Sequence, residues 1–88
     1  MRHRGPIPGR IDLGLHSINV RFVGKREMRE ESEHDEEEGT ELPTGLWCPE
    51  EEEILLARWT NRMRQRWDLL HEMGHACLDL RDYYDRKV

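Results

Sequence analysis

The sequence predicts an α+β domain in which a small antiparallel sheet of about three strands packs on one long helix. Apolar and polar residues alternate over residues 18–23 and predict the first strand. Two short apolar runs flank a Cys48-Pro49 turn and predict a hairpin. Apolar residues then recur at steps of three and four between about Arg58 and about Leu80, which is the period of an amphipathic helix.

Composition predicts one small domain with a modest core. The chain has 88 residues, of which 35% are hydrophobic and 38% are charged. A net charge of −5 gives no indication of nucleic-acid binding. No apolar run reaches the roughly 18 residues of a membrane span, and the basic N-terminus continues without a hydrophobic signal segment. Two cysteines are too few for a disulfide framework, so we expect a cytoplasmic protein with reduced thiols.

The N-terminal half is expected to contain one strand between two irregular segments. Residues 1–10 carry two Pro and two Gly and predict a flexible arm, so the folded domain is expected over residues 11–88. Alternation at Ile11, Leu13 and Leu15 suggests that the strand of residues 18–23 starts earlier. Residues 25–39 are dominated by carboxylates and predict a solvated acidic loop. Capture of a basic partner or of divalent cations is the functional alternative for this loop.

The hairpin is expected to pair residues 45–47 with residues 52–57. Pro49 lacks an amide donor and suits the turn, while the neighbouring glutamates suit a solvent-facing edge strand. A competing interpretation has Pro49 opening a helix that continues into the next one.

The predicted helix carries the motif His71-Glu72-Met73-Gly74-His75. Residues four apart on a helix lie about 6 Å apart along its axis, so the two imidazoles can reach one zinc ion. Glu72 is rotated off that line and can accept a proton from a zinc-activated water. The alternative is an ordinary histidine pair on a solvated helix face, with Glu72 in ion pairs to arginines.

Two small residues next to the motif carry structural expectations. Gly74 costs on the order of 1 kcal/mol of helix stability relative to Ala, which suggests that another group packs closely against it. Cys77 lies roughly 200° around the helix from His75 and is expected to be a small buried hydrophobe. Cys48, beside Pro49, is read as a turn residue, with a ligand or reactive thiol as the alternative.

The stretch LLHEMGHACLDL resembles the active-site helix of zincin metallopeptidases, in particular the small bacterial and phage proteins of the IrrE/ImmA-like and related gluzincin-like families. The resemblance covers about residues 18–80 and implies a truncated zincin core. It implies that His71 and His75 are zinc ligands and that Glu72 is the general base and proton shuttle. It also implies that an edge strand, here residues 54–57, holds an extended peptide over the metal.

The third zinc ligand departs from the family patterns. A metzincin-like pattern needs Gly and then His or Asp where this chain has Leu78 and Arg81, and no Glu follows for a gluzincin-like pattern. Asp79 is about 12 Å along the helix from His71 and is better placed as a supporting or surface residue. Asp82 is the preferred third ligand if the helix unwinds near Asp79. The further candidates are Asp85, His16, Cys48 and a residue from a second subunit.

The sequence therefore predicts a zinc-dependent peptidase that hydrolyses a peptide or protein substrate and binds neither nucleic acid nor membrane. The alternative is a catalytically weak or inactive peptidase-like module that binds a protein partner. A structural zinc site closed by a cysteine is disfavoured because Cys77 is expected to point away from the two histidines.

Overall fold

The computed structural model describes residues 7–14, 16–32 and 41–87, with the side chains of residues 82–87 excepted. This part of the chain is α+β. Its elements, in chain order, are β1 (Arg10–Asp12), β2 (Ser17–Val23), α1 (Lys25–Ser32), β3 (Gly45–Cys48), β4 (Glu53–Ala57) and α2 (Arg62–Lys87).

The described strands form one mixed sheet of four strands in the order β1-β2-β4-β3. The antiparallel pair of β3 and β4 confirms the predicted hairpin and excludes the competing helix from Pro49. The expected antiparallel sheet of about three strands is wrong, because β2 and β4 are parallel, with Val20 opposite Ile54. Parallel neighbours need a connection of a dozen or more residues, and the chain between Val23 and Glu53 supplies it.

Strand β4 lies inside the sheet, and the prediction that residues 54–57 form an edge is wrong. Ile54, Leu55 and Leu56 are each 0% exposed, so both faces of β4 are covered. A continuous apolar run is typical of a strand that is buried on both faces, whereas the adjacent glutamates had suggested an edge. The edge strand on this side of the sheet is β3.

The first half of the predicted acidic loop is a helix. In α1, Met28 is fully buried and its amide donates a hydrogen bond to the Gly24 carbonyl at 3.0 Å. Glu27 forms an ion pair with Arg21 of β2 at 2.6 Å. One apolar side chain is therefore enough to anchor this charged segment to the sheet. The remainder of the predicted loop, residues 33–39, lies outside the described residues.

The two faces of the sheet carry separate apolar clusters. The face under α2 contains Ile18, Ile54 and Trp47, packed against Ala76. The opposite face carries a smaller cluster beside α1, made of Val23, Met28, Cys48 and Leu55. Helix α2 therefore lies on one face of the sheet, and α1 lies on the other.

The predicted boundaries shift at both ends of the chain. Ile7 packs against the core and Arg10 begins β1, so the arm predicted for residues 1–10 is ordered from residue 7, and residues 1–6 lie outside the description. Ile11 belongs to β1 rather than to an extended β2, because Gly14, with a φ of 81°, turns the chain between the two strands. Leu15 is among the residues not described.

Helix α2 begins four residues later than predicted, at Arg62, where the Asn61 side chain accepts a hydrogen bond from the Arg64 amide at 2.8 Å. It runs without interruption to Lys87, beyond the predicted end at Leu80. No helix in the described part of the chain is long and apolar enough to cross a membrane.

Candidate metal and catalytic site

The two histidines of the motif face each other on the exposed side of α2. Their Nε2 atoms are 3.2 Å apart, and their ring centroids are 4.8 Å apart with the rings at 77°. Both side chains are exposed. A neutral ring that carries its proton on Nε2 donates a hydrogen bond to the other Nε2, so metal binding must move that proton to Nδ1 or release it.

The separation of the two nitrogens fits a shared zinc ion. Zinc binds imidazole nitrogen at roughly 2.0–2.1 Å in tetrahedral sites, which places neighbouring ligand nitrogens about 3.3 Å apart. The observed 3.2 Å is close to that separation. His71 and His75 can therefore supply two ligands to one ion.

Glu72 projects from the same helix toward the edge strand β3. Its half-buried carboxylate accepts a hydrogen bond from the backbone amide of Trp47. Burial raises the pKa of Glu72 above its ordinary value, and nearby Asp68 raises it further, while His75, His71 and the Trp47 amide oppose the shift. The carboxylate is thus a stronger base than a solvated glutamate and is held beside the histidine pair.

Two residues that sequence reasoning missed determine where Glu72 lies. A Cβ atom added at Gly45 would lie 3.1 Å from the Asp68 Cβ and 3.2 Å from the Glu72 Cγ. Glycine at the start of β3 therefore lets α2 approach the strand closely. Asp68 is buried and accepts hydrogen bonds from Arg64 Nε at 3.2 and 3.3 Å. A glycine inside a strand was the available signal for this contact.

A second connection holds α2 against β3 beyond the motif. The Trp47 indole nitrogen donates a hydrogen bond to Asp79 Oδ2 at 2.7 Å. The expectation that Asp79 has a supporting or surface role agrees with this contact. The strand is thereby attached to the helix on both sides of Glu72.

The described residues contain no group of three or more metal-binding side chains. Cys48 lies on the sheet face opposite α2, and burial raises the pKa of its thiol to about 11, so it is unsuited to bind the metal of His71 and His75. His16 Nδ1 lies at hydrogen-bond distance, 2.6 Å, from Glu52 Oε2 near the turn between β3 and β4.

The two C-terminal candidates lie on the helix, and their side chains are outside the description. The backbone does not unwind near Asp79, so Asp82 is two helical turns, about 10 Å along the axis, from His75. Coordination by Asp82 in the same chain requires the last turns of α2 to rearrange. Asp82 and Asp85 therefore stay predictions, as does a ligand from a second chain.

Two expectations about small residues of α2 are wrong. A Cβ atom added at Gly74 would meet nothing within 4 Å among the described atoms, so no group packs there. Cys77 is exposed rather than buried. The apolar spacing of α2 covers more than one face of the helix, and the apolar residues that pack against the sheet are Leu69, Met73, Ala76 and Leu80.

Comparison of the chain with protein-family models, curated proteins and solved structures found no match.

Proposed function

We propose that this protein is a zinc-dependent peptidase whose metal is held by His71 and His75 and whose general base is Glu72. The observation that carries the proposal is the 3.2 Å separation of the two Nε2 atoms on the helix that also presents Glu72. A hydrogen bond between the two rings also accounts for this separation, and zinc retention by the chain distinguishes the two interpretations. The desolvated position of Glu72 supports its role as a base.

The chemistry divides between the metal and the protein. A bound zinc ion supplies Lewis-acid polarisation of a carbonyl group and of a water molecule. Glu72 accepts a proton from the water as its oxygen attacks the scissile carbonyl carbon. Glu72 then passes this proton to the amide nitrogen as the C–N bond breaks, so the carboxylate returns to its starting state.

The edge strand β3 supports an extended peptide as the substrate. Its outer side pairs with no other strand in the described ranges, and it lies directly beside Glu72. An added peptide strand would hydrogen-bond to β3 and bring its backbone carbonyls toward the histidine pair. The substrate-binding strand in this proposal is therefore β3, not residues 54–57.

Asp82 remains our proposed third ligand, on the condition that the end of α2 rearranges when metal binds. Asp85 and a ligand from a second chain are the alternatives. All three leave His71, His75 and Glu72 in the same roles.

The second candidate function is a peptidase-like module that binds a protein partner with little or no hydrolysis. It is favoured by the finding that the described residues contain no group of three or more side chains that could hold a metal ion. With an incomplete set of ligands, the protein would bind zinc weakly and would hydrolyse peptides slowly.

Hydrolysis of a mixture of unstructured peptides by the zinc-loaded chain tests the proposal. We expect cleavage by the wild type and a loss of at least 100-fold in Glu72→Gln, with equal zinc content in both. Glu30→Gln, on the exposed surface of α1, is the matched control and should cleave like the wild type.

Equal activity in the wild type and Glu72→Gln would refute the role of Glu72. A zinc-loaded wild type that cleaves nothing would favour the binding module.

A further inference from the structure

The outer face of α2 carries a row of large apolar side chains that nothing described covers. Met63 is 74% exposed, Trp67 65%, Leu70 71% and Leu78 58%. With Gly74 they form what we call the outer stripe. Contiguous exposed apolar surface of this kind marks an interaction site more often than chance exposure.

The stripe lies on the side of α2 away from the sheet. At about 100° per residue, its members fall within roughly one quarter of the helix circumference, on the side opposite Leu69 and Ala76, which face the core. The spacing of Met63, Trp67, Leu70 and Gly74 alternates four and three residues, which is the seam spacing of paired helices. The partner that fits the stripe is therefore another helix.

The stripe is complementary to itself when two copies run antiparallel. In the register that places Leu70 of one copy beside His71 of the other, Trp67 lies opposite Gly74 and Met63 lies opposite Leu78. The largest side chain then meets the residue where an added Cβ would touch nothing within 4 Å.

We propose that the outer stripe is a homodimer interface in which the α2 helices of two copies pack antiparallel, with Trp67 of each seated over Gly74 of the other. The two-fold axis passes between Leu70 and His71. This symmetry makes every contact occur twice, which is how most small homodimers close.

The dimer would also change the candidate site. A shallow pocket of about 220 Å³ lined by Trp67, Leu70 and His71 joins the stripe to the histidine pair. A second copy on the stripe would form a wall beside His71 and leave the β3 side of the cleft open. The interface itself needs no metal, so the proposal stands apart from the proposed zinc chemistry.

Sedimentation equilibrium of the full chain in EDTA tests the dimer. We expect a dimer for the wild type and a monomer for Leu70→Glu, because the two introduced carboxylates would meet at the two-fold axis. Leu13→Glu changes another exposed leucine, away from α2, and should leave the dimer intact. A monomeric wild type, or a dimer that forms only with zinc, would overturn the proposal.

Gly74→Leu separates the specific register from nonspecific apolar association. The new side chain has open space within its own chain and improves helix propensity, so the monomer should fold at least as well. We expect the dissociation constant of the dimer to rise by at least 10-fold, because the introduced Leu would occupy the space that Trp67 of the other copy fills. Unchanged or tighter association would contradict the register.

Disulfide trapping tests the direction of the helices. In the proposed register the two Cys77 residues are about 20 Å apart along the helices, whereas a parallel pair would place them side by side. We expect oxidised wild type to form no intermolecular disulfide and Leu70→Cys in a Cys77→Ser background to form one. A Cys77-linked wild-type dimer, or no cross-link in the Leu70→Cys chain, would refute the antiparallel arrangement.

Discussion

Two glycines near the candidate site differ in how closely other atoms approach them, although one lies in a strand and the other in a helix. Gly45 lies where α2 approaches β3, and Gly74 faces open space on the far side of the helix. From the sequence we expected the close contact at Gly74, because glycine lowers helix stability and its presence suggests that another group packs against it. Propensity shows that a glycine is costly but not which neighbour requires it, so the contact partner could not be predicted.

Substitution of each glycine by alanine should therefore have opposite effects on stability. We expect Gly45→Ala to destabilise the fold by about 1–3 kcal/mol, because the methyl group presses on Asp68 and Glu72. Gly74→Ala should stabilise it by about 1 kcal/mol through helix propensity alone. Urea unfolding measures both in the Leu70→Glu background, where dimerisation does not contribute. Equal effects at the two positions would contradict the close approach of α2 to β3.

Ionised Glu72 should lower the stability of the folded chain while serving as the proposed base. Its pKa is raised above the ordinary value of 4.5 by burial, so the folded chain disfavours the ionised form. The protonated form is fully stabilised below pH 4.5, and this advantage is lost as pH rises through the folded pKa. We expect metal-free Glu72→Gln to melt at the same or a higher temperature than the wild type at pH 7.

Melting curves at several pH values check this prediction. The wild type should lose stability relative to Glu72→Gln as pH rises from 4 to 7. Glu30→Gln should follow the wild type across this range. A Glu72→Gln chain that is less stable than the wild type at pH 7 would show that the ionised carboxylate stabilises the fold.

At the scale of elements, the hydrogen bond from Trp47 to Asp79 attaches β3 to the C-terminal half of α2. We expect Asp79→Ala to cost about 0.5–1.5 kcal/mol, because the indole N–H of buried Trp47 loses its acceptor. Asp79→Asn keeps a side-chain oxygen and should recover most of that loss. Urea unfolding of both variants checks the prediction, and equal losses would mean that the charge of Asp79 acts rather than its hydrogen bond.

The elements with strong local periodicity could be predicted, and their pairing could not. Alternation gave β2, and the three-and-four spacing gave most of α2. The parallel pairing of β2 with β4 depends on how the connecting segment crosses the sheet, which no local pattern encodes. Helix α1 was missed because a single apolar anchor, Met28, fixes it within a run of charged residues.

The candidate site could likewise be predicted where it depends on local spacing, and not where it depends on tertiary packing. The spacing of His71, Glu72 and His75 fixes their relation on one helix, so the facing Nε2 atoms could be expected before the structure. Asp68 lies one helical turn before Glu72, whereas its burial and the approach of the Trp47 amide are set by tertiary packing. These surroundings shift the pKa of Glu72 and could not be predicted from the motif alone.

At the scale of the whole molecule, the chain places α1 and α2 on opposite faces of a four-stranded sheet. A domain this small has limited apolar burial, so a ligand that binds only the folded state adds a sizeable share of its stability. Zinc bound by His71 and His75 should therefore raise the melting temperature of the chain. The histidine pair lies at the border of the outer stripe, so the proposed metal and the proposed second copy would contact neighbouring parts of α2.

Zinc retained after equilibrium dialysis, with the melting temperature of each sample, tests the metal site most directly. We predict about one zinc ion per chain and a raised melting temperature for the wild type and for Glu72→Gln. His71→Ala and His75→Ala should each lose the ion and the stabilisation. A wild type that retains no zinc, or histidine variants that retain as much as the wild type, would contradict the proposed metal site.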